Sequence, residues 1–306
     1  MASKSSLRKW ARTKVGQNRR NTIETVSELI QNALANTQRA YDRSTQKNLP
    51  DQIVDLFLAL VFIGDLKGGD RLPPELELTK ILRVNQSSLR MAMRVLARMN
   101  VVESTRGSGL VVLDYKKQTG LDFMSELVRI PELNLGSGFL LQMLEGAPIL
   151  LLQLMKSVTE KEMAEDHFLF PSVMDLQKKY LEEGAPPRKI ADLDILIQNV
   201  ASAELLNPVL RASFNSFVPL RTYMMEMYYS MGGERLIRHV ENQKTMWVQF
   251  VNKEISRDEF LEKYFIHVSA ETNALSEYLK TLPQAPELKT SPLQHYPEMV
   301  SLAETR

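Results

Sequence analysis

The chain has no cysteine among its 306 residues, which excludes disulfides, thiol catalysis and cysteine zinc sites and fits a reducing compartment. It lacks any run of about 20 apolar residues, the length a helix needs to span a bilayer. Its basic first residues are not followed by the apolar core of a secretory signal. A cytoplasmic protein with no membrane role is the simplest expectation. An excess of one charge is missing too: 38 Lys+Arg against 37 Asp+Glu leave a formal net charge of +1. Any nucleic-acid binding must then come from local basic patches rather than a global field. Enzyme signatures are absent. There is no Gly-rich phosphate loop, nucleophile elbow or HExxH motif, and His167, His239, His267 and His295 are spread far apart. Asp192 and Asp194 lie two apart on a helical pattern and point to different faces. The sequence supports no catalytic function and no cofactor.

What the chain does have is concentrated between Leu66 and Val112: LKGGDRLPPELELTKILRVNQSSLRMAMRVLARMNVVESTRGSGLVV. The preceding segment, Asp51 to Ile63, is a strongly apolar helix closed by Gly64. After the Gly68-Gly69 turn, Pro73-Pro74 sits where a second helix can begin, with Leu78, Ile81 and Leu82 on its buried side. Asn85-Gln86-Ser87-Ser88 supplies the cap of a third helix, whose Leu89, Ala92, Met93 and Leu96 face inward. On its other side Arg90, Arg94 and Arg98 recur at i, i+4 and i+8, a spacing that lets three guanidiniums meet a row of phosphates. Val101-Val102-Glu103 and Leu110-Val111-Val112 then pair as a hairpin around Thr105-Arg106-Gly107-Ser108-Gly109. Helix, turn, helix and glycine-tipped wing in this order are what a winged helix-turn-helix needs to grip a DNA groove. The candidate DNA-contacting residues are Gln86, Ser87, Ser88, Arg90, Arg94, Arg98, Arg106 and Gly107.

Four segments follow from the composition. Residues 1–47 form a cationic arm, with Lys4, Arg8, Lys9, Arg12, Lys14, Arg19 and Arg20 and no acidic residue in the first twenty, followed by an amphipathic helix carrying Ile23, Val26, Ile30 and Leu34. Residues 48–115 are the winged domain. Residues 116–283 show helical stripes at Phe139 to Met155, Val173 to Leu181, Ile190 to Leu205, Val209 to Tyr229, Leu236 to Val251 and Phe260 to Leu279, and nothing that alternates as strands would. This half reads as an all-α bundle, and a chain of this length can hold two compact domains, each with its own core. Residues 284–306, with Pro286, Pro292 and Pro297 among polar residues, read as a loosely held polar tail. The expected fold class is mainly α: an N-terminal winged helix-turn-helix with a small β-wing, then an all-helical effector and dimerisation domain.

The pattern Leu66-x-x-Gly69-x-x-Leu72-Pro73-x-Glu75-x-Glu77-Leu78, with Val84, Leu89-Arg90 and the Gly107-Ser108-Gly109 wing, resembles the GntR family of bacterial transcription regulators. Thr119-Gly120-Leu121-Asp122 and the run Asp194 to Pro208, ending in Ala203-x-x-x-Asn207-Pro208, resemble its FadR subfamily. The resemblance implies a homodimer on double-stranded operator DNA and a helical bundle that binds a small effector. It also sets out departures. Family members commonly have arginine where this chain has Leu76 and Gln86, and glycine where it has Arg83. Glutamine suits an adenine edge where arginine prefers guanine, so the operator differs from those of relatives.

Many subfamily members hold a divalent metal with one aspartate and three histidines. On that pattern Asp194 and His267 match, but Gln198 and Lys244 occupy the other positions; an ammonium does not coordinate a cation, and no metal is expected. Fatty-acid regulators of the FadR type instead bind a long-chain acyl-coenzyme A, and this chain resembles them at Tyr264, His267 and Ser269. It departs at Asn273, where they carry an aromatic, and at Ile266, where they carry a glycine that leaves room for the ligand. With the Met- and Tyr-rich segment from Tyr223 to Tyr229, the candidate effector residues are Tyr223, Tyr228, Trp247, Tyr264, His267 and Ser269. The reading that follows is a regulator whose operator binding is modulated by a small effector, an acyl-CoA being one candidate. Two alternatives stay open: a winged-helix dimer without effector response, and a scaffold that has lost sequence-specific recognition.

Overall fold

Asn48 opens the first helix by accepting the Asp51 amide at 3.0 Å, and Gly64, at φ +89°, closes it. This helix, α1 (Leu49–Ile63), is apolar on nearly every side and is accordingly buried from Ile53 to Phe62. The structure, a computed structural model, describes residues 47–105, 109–156, 169–205 and 208–293, apart from the side chains of 105, 147–156, 169 and 201–205. The basic arm with its amphipathic helix, the 106–108 wing tip, Asn207 and the residues after 293 lie outside the described residues.

Against α1 pack α2 (Glu75–Leu82) and α3 (Gln86–Arg98), through Leu78, Leu82, Leu89, Ala92 and Leu96, all fully buried. The turn between α2 and α3 is made by Arg83, whose backbone is left-handed at φ +53°. That conformation explains why relatives place glycine there: a Cβ in this region costs about 1 kcal/mol or more. Strands β1 (Val102–Thr105) and β2 (Gly109–Val112) form the antiparallel wing, in register Val102 to Val112 and Thr105 to Gly109. The segment before α2 adds to its edge, since the Leu72 amide donates to the Leu110 carbonyl at 2.9 Å and the Gly69 amide to the Val112 carbonyl at 2.8 Å.

After the short α4 (Tyr115–Gln118), helix α5 (Leu121–Leu127) leads into the bundle of α6 (Ser137–Lys156), α7 (Leu169–Glu182), α8 (Pro187–Leu205), α9 (Pro208–Ser216), α10 (Val218–Ser230), α11 (Glu234–Val251) and α12 (Arg257–Lys280). Helix α8 packs on α10, α7 on α11, and α12 on both α6 and α11. The stripe expected from Val209 to Tyr229 is not one helix. It breaks at Phe217, and Pro219 sits in the first turn of α10, where its missing N–H has no intrahelical partner to lose.

Two further expectations are corrected. The bundle half contains a short ladder, β3 (Leu133–Asn134) antiparallel to β4 (Glu287–Leu288). The segment after 283 is also not loose through its first ten residues. The Ser137 amide donates to the Pro283 carbonyl at 2.8 Å and the Lys289 amide to the Glu132 carbonyl at 2.9 Å, while Leu288 and Leu293 are buried. Gly136, at φ +74°, allows this close approach, because a Cβ there would stand 2.4 Å from the Gln284 carbonyl oxygen.

Where a separate core is expected for each domain, the main apolar core spans both halves, beside two smaller apolar clusters inside the bundle. It runs from Ile53 and Phe57 of α1 through Phe123 and Leu127 of α5 to Leu140, Ile190, Tyr229, Leu275 and Leu293. Polar bonds cross the same junction. The Lys47 ammonium binds the buried Asp55 carboxylate and donates to the Arg129 carbonyl at 3.1 Å. Within the second half, the Ser125 hydroxyl of α5 donates to the Ser216 carbonyl of α9 at 2.8 Å. Burial raises the Asp55 carboxyl to about 6, with the Lys47 charge holding it down from higher values.

Candidate functional site

A candidate nucleic-acid face is built on α3. The Asn85 carboxamide oxygen accepts the Ser88 amide at 2.8 Å, satisfying one free N–H of the first turn. With one side of α3 buried on α1 and α2, the other must face solvent. Gln86, Ser87, Arg90, Arg94 and Arg98 are exposed there, and Ser88 is half-buried at the cap. The structure therefore brings six of the eight sequence-derived contact residues onto one helix; Arg106 and Gly107 lie outside the described residues. The Arg90 Nε donates to the Glu75 carboxylate at 2.6 Å, which ties α3 to the start of α2. Arg94 and Arg98 make no ion pair among the described residues, so two guanidiniums of the row face solvent unpaired.

A second set of functional groups sits inside the bundle. Asp194 of α8 is buried, and the Tyr229 hydroxyl of α10 donates to its Oδ2 at 2.7 Å. The Gln177 amide of α7 donates in turn to the Tyr229 oxygen at 3.4 Å. Burial raises the Asp194 carboxyl to about 6, against the lowering effects of the Tyr229 hydrogen bond and the Arg221 charge. The same burial, reinforced by the Asp194 charge, pushes the Tyr229 and Tyr264 hydroxyls up, so both stay protonated donors. Beside them the Tyr228 hydroxyl donates to Glu271 at 2.6 Å, and Arg235 reaches the same carboxylate at 3.0 Å.

His267 Nε2 and His239 Nδ1 are 2.9 Å apart, so one imidazole donates to the other. Burial lowers His239 to about 3 and also pushes His267 down, leaving both rings neutral at pH 7. The histidines that stand far apart in sequence thus include a pair in contact. They meet because α11 and α12 pack side by side and cancel the 28-residue separation.

The effector candidates divide between two places. Tyr228 and His267 meet around His239, the Tyr228 ring lying 5.2 Å from it by centroid. Trp247 and Tyr264 belong to an aromatic cluster joined by Phe260, at 5.9 and 5.8 Å. Tyr223 is half-buried at the edge of the main core, and Ser269 is half-buried on α12. Ile266 is 62% exposed and so does not fill the interior, and Asn273 is exposed as well. Sequence reasoning missed Gln177, Arg235 and Glu271 and left Tyr229 and His239 without a role. One signal was available on α12, where Phe260, Tyr264, His267, Glu271, Leu275 and Leu279 follow helical spacing and place a carboxylate within an apolar stripe.

The metal-ligand set expected from the subfamily resemblance does not assemble. Asp194 is bonded to Tyr229, Gln198 accepts from the Arg221 guanidinium, and the Lys244 ammonium lies on Asp175 at 2.5 Å toward the surface. A different trio, His239, His267 and Glu271, brings its donor atoms within 4.8 Å of one another. There the positive charge facing Glu271 is already supplied by Arg235, and the two imidazoles bond to each other.

Comparison with known proteins matches residues 49–112 to the family described as "Bacterial regulatory proteins, gntR family". The HTH-type transcriptional regulator Mce2R of Mycobacterium tuberculosis is 27% identical over 84 residues, 28% of this chain and 35% of that protein. The uncharacterized HTH-type transcriptional regulator Rv0494 of Mycobacterium tuberculosis is 31% identical over 110 residues, 36% of this chain and 44% of that protein. The matches thus span less than half the length of these relatives. Among solved structures, Lar of Listeria monocytogenes overlaps 78% of this chain and 99% of its own, at 13% identity and a TM-score of 0.44. McbR/YncC of E. coli overlaps 77% and 99%, at 16% identity and a TM-score of 0.33.

Proposed function

We propose, from the premise that residues 49–112 are a winged helix-turn-helix domain of the gntR family of bacterial regulatory proteins, that this chain is a dimeric transcription regulator. Its α3 enters the major groove of double-stranded operator DNA. The observation that carries this reading is the solvent-facing row of Arg90, Arg94 and Arg98 on a helix capped by Asn85 and flanked by the β1–β2 wing. Phosphates neutralise the arginines, Gln86 reads a base edge at the N-terminus of α3, and Arg106 and Gly107 of the wing hold the backbone. A gel-shift titration of an operator chosen by the protein from random duplexes, at fixed salt, tests it; a selection that enriches no motif supports the scaffold alternative instead.

In the same proposal the bundle is the sensor, as in FadR-type regulators. Three buried polar atoms, Gln177 Oε1, His239 Nε2 and Trp247 Nε1, have no hydrogen-bond partner among the described residues. Each such orphan costs about 1–3 kcal/mol, a cost that a small molecule with both donor and acceptor groups removes. Tyr228, Tyr264, His267 and Ser269 lie on helices α10 and α12, and Tyr223 is half-buried on α10. An acyl-CoA is one effector chemistry to test, since the outward placement of Ile266 removes the steric objection raised by its size. Bound effector changes operator affinity only by its differential affinity for two arrangements of the paired heads. Mass spectrometry of small molecules extracted from the purified protein tests this part, and an extract without a stoichiometric compound leaves the bundle as a dimerisation unit.

A further inference from the structure

Seven large apolar side chains are prominently exposed among the described residues, and two of them lie on the DNA-facing helices: Leu76 of α2, 66% exposed, and Met91 of α3, 52% exposed. Neither is a slack end of the core. Leu76 follows Glu75, which is held to Arg90 of α3 at 2.6 Å, so its backbone is anchored beside the arginine row. Met91 follows Arg90 and precedes Arg94 by one turn on the same exposed face. Exposed apolar groups set among guanidiniums suit a surface that offers both phosphates and methyl groups. In the major groove of DNA the C5-methyl of thymine is the apolar feature, and it distinguishes A·T from the other pairs.

We propose that Leu76 and Met91 are specificity-determining residues that read thymine methyl groups. At the base facing Leu76 the operator then carries a thymine where the arginine expected from the family resemblance would select guanine. The proposal rests on the DNA-binding reading above and names what that reading leaves open, the sequence class of the site. Burying one methyl against an apolar side chain changes affinity by about threefold to fourfold.

The test uses the full chain. A duplex is selected from a random pool at fixed salt, and each thymine in it is then replaced singly by deoxyuridine, which removes the methyl and leaves base pairing intact. The expected result is a threefold to fourfold loss at one or more thymines of each half-site. At those positions the loss disappears in Leu76→Ala or Met91→Ala, as a double-mutant cycle requires. Both side chains are exposed, so the variants keep the melting temperature of the parent, and that measurement accompanies each titration. An enriched motif with no methyl-sensitive thymine, or with the same loss in parent and variants, overturns the proposal and leaves DNA binding standing. A pool with no enriched motif overturns both.

Discussion

Replacing Tyr229 by Phe removes one oxygen from the centre of the bundle while keeping the ring that packs in the core. That oxygen donates to Asp194 at 2.7 Å, and both residues are buried. A hydrogen bond to a charged group is worth about 1.5–3 kcal/mol, so at pH 8 the variant is expected to lose about 2–3 kcal/mol. In a domain of this size the loss lowers Tm by roughly 5–10 °C. The pH dependence follows from the direction of the Asp194 shift. A carboxyl raised from 3.8 to about 6 on folding contributes stability that is full below pH 3.8 and is lost as pH rises through 6. Without the Tyr229 donor the folded value rises further, so the extra destabilisation lies on the alkaline side. At pH 5 Asp194 is protonated in the fold, and the missing bond is a neutral one worth about 1 kcal/mol. His239 acts with the opposite sign, its folded value of about 3 against 6.5 making stability fall as pH drops below 6.5. That contribution is common to both proteins and cancels in the difference. Thermal melts of parent and variant by circular dichroism at pH 5 and pH 8 measure the gap. A gap that is equal at both pH values would refute the assignment of Tyr229 as the donor that keeps Asp194 charged.

Four other substitutions test separate parts of the account. Arg90→Ala should weaken operator binding about tenfold or more at fixed salt, from a contact worth about 1–3 kcal/mol, and unchanged gel-shift affinity would remove α3 from the interface. Lys47→Ala leaves Asp55 buried without its cation and should cost about 3–5 kcal/mol in chemical denaturation, with part of the loss recovered by adding Asp55→Asn. Gly136→Ala meets both a left-handed φ of +74° and the Gln284 carbonyl, and should cost about 2 kcal/mol or more while exposing residues 284–293 to limited proteolysis. Arg83→Gly relieves the left-handed turn between α2 and α3 and should raise Tm by about 2–4 °C, read by calorimetry.

The winged domain was legible in the sequence because its signals are local. The Asn85 cap, the glycine after α1, the helical spacing of Leu89, Ala92 and Leu96 and the arginine row on the opposite face all lie within a few turns of each other. Local order of this kind sets which side of α3 is buried and which faces solvent, and with it the candidate nucleic-acid face. The helical character of the second half was legible for the same reason. The break at Phe217 was missed because apolar spacing continues across it, although Pro219, in the first turn of α10, is the local signal that marks it.

The interior of the bundle depended on tertiary structure. The contact between His239 and His267, the carboxylate of Glu271 between Tyr228 and Arg235, and the Gln177–Tyr229–Asp194 chain join residues from helices far apart in the chain. Side-chain periodicity reports the face a residue occupies, never the partner it meets there. The docking of residues 284–293 onto the start of the second half escaped the sequence as well. Backbone hydrogen bonds between 283–289 and 132–138, and the burial of Leu288 and Leu293, leave no periodic trace in a proline-rich segment. By itself the sequence determined a winged helix with a cationic face, followed by a helical domain. Only long-range packing decided that the main apolar core runs through both and that polar groups from α7, α8, α10, α11 and α12 converge inside the bundle.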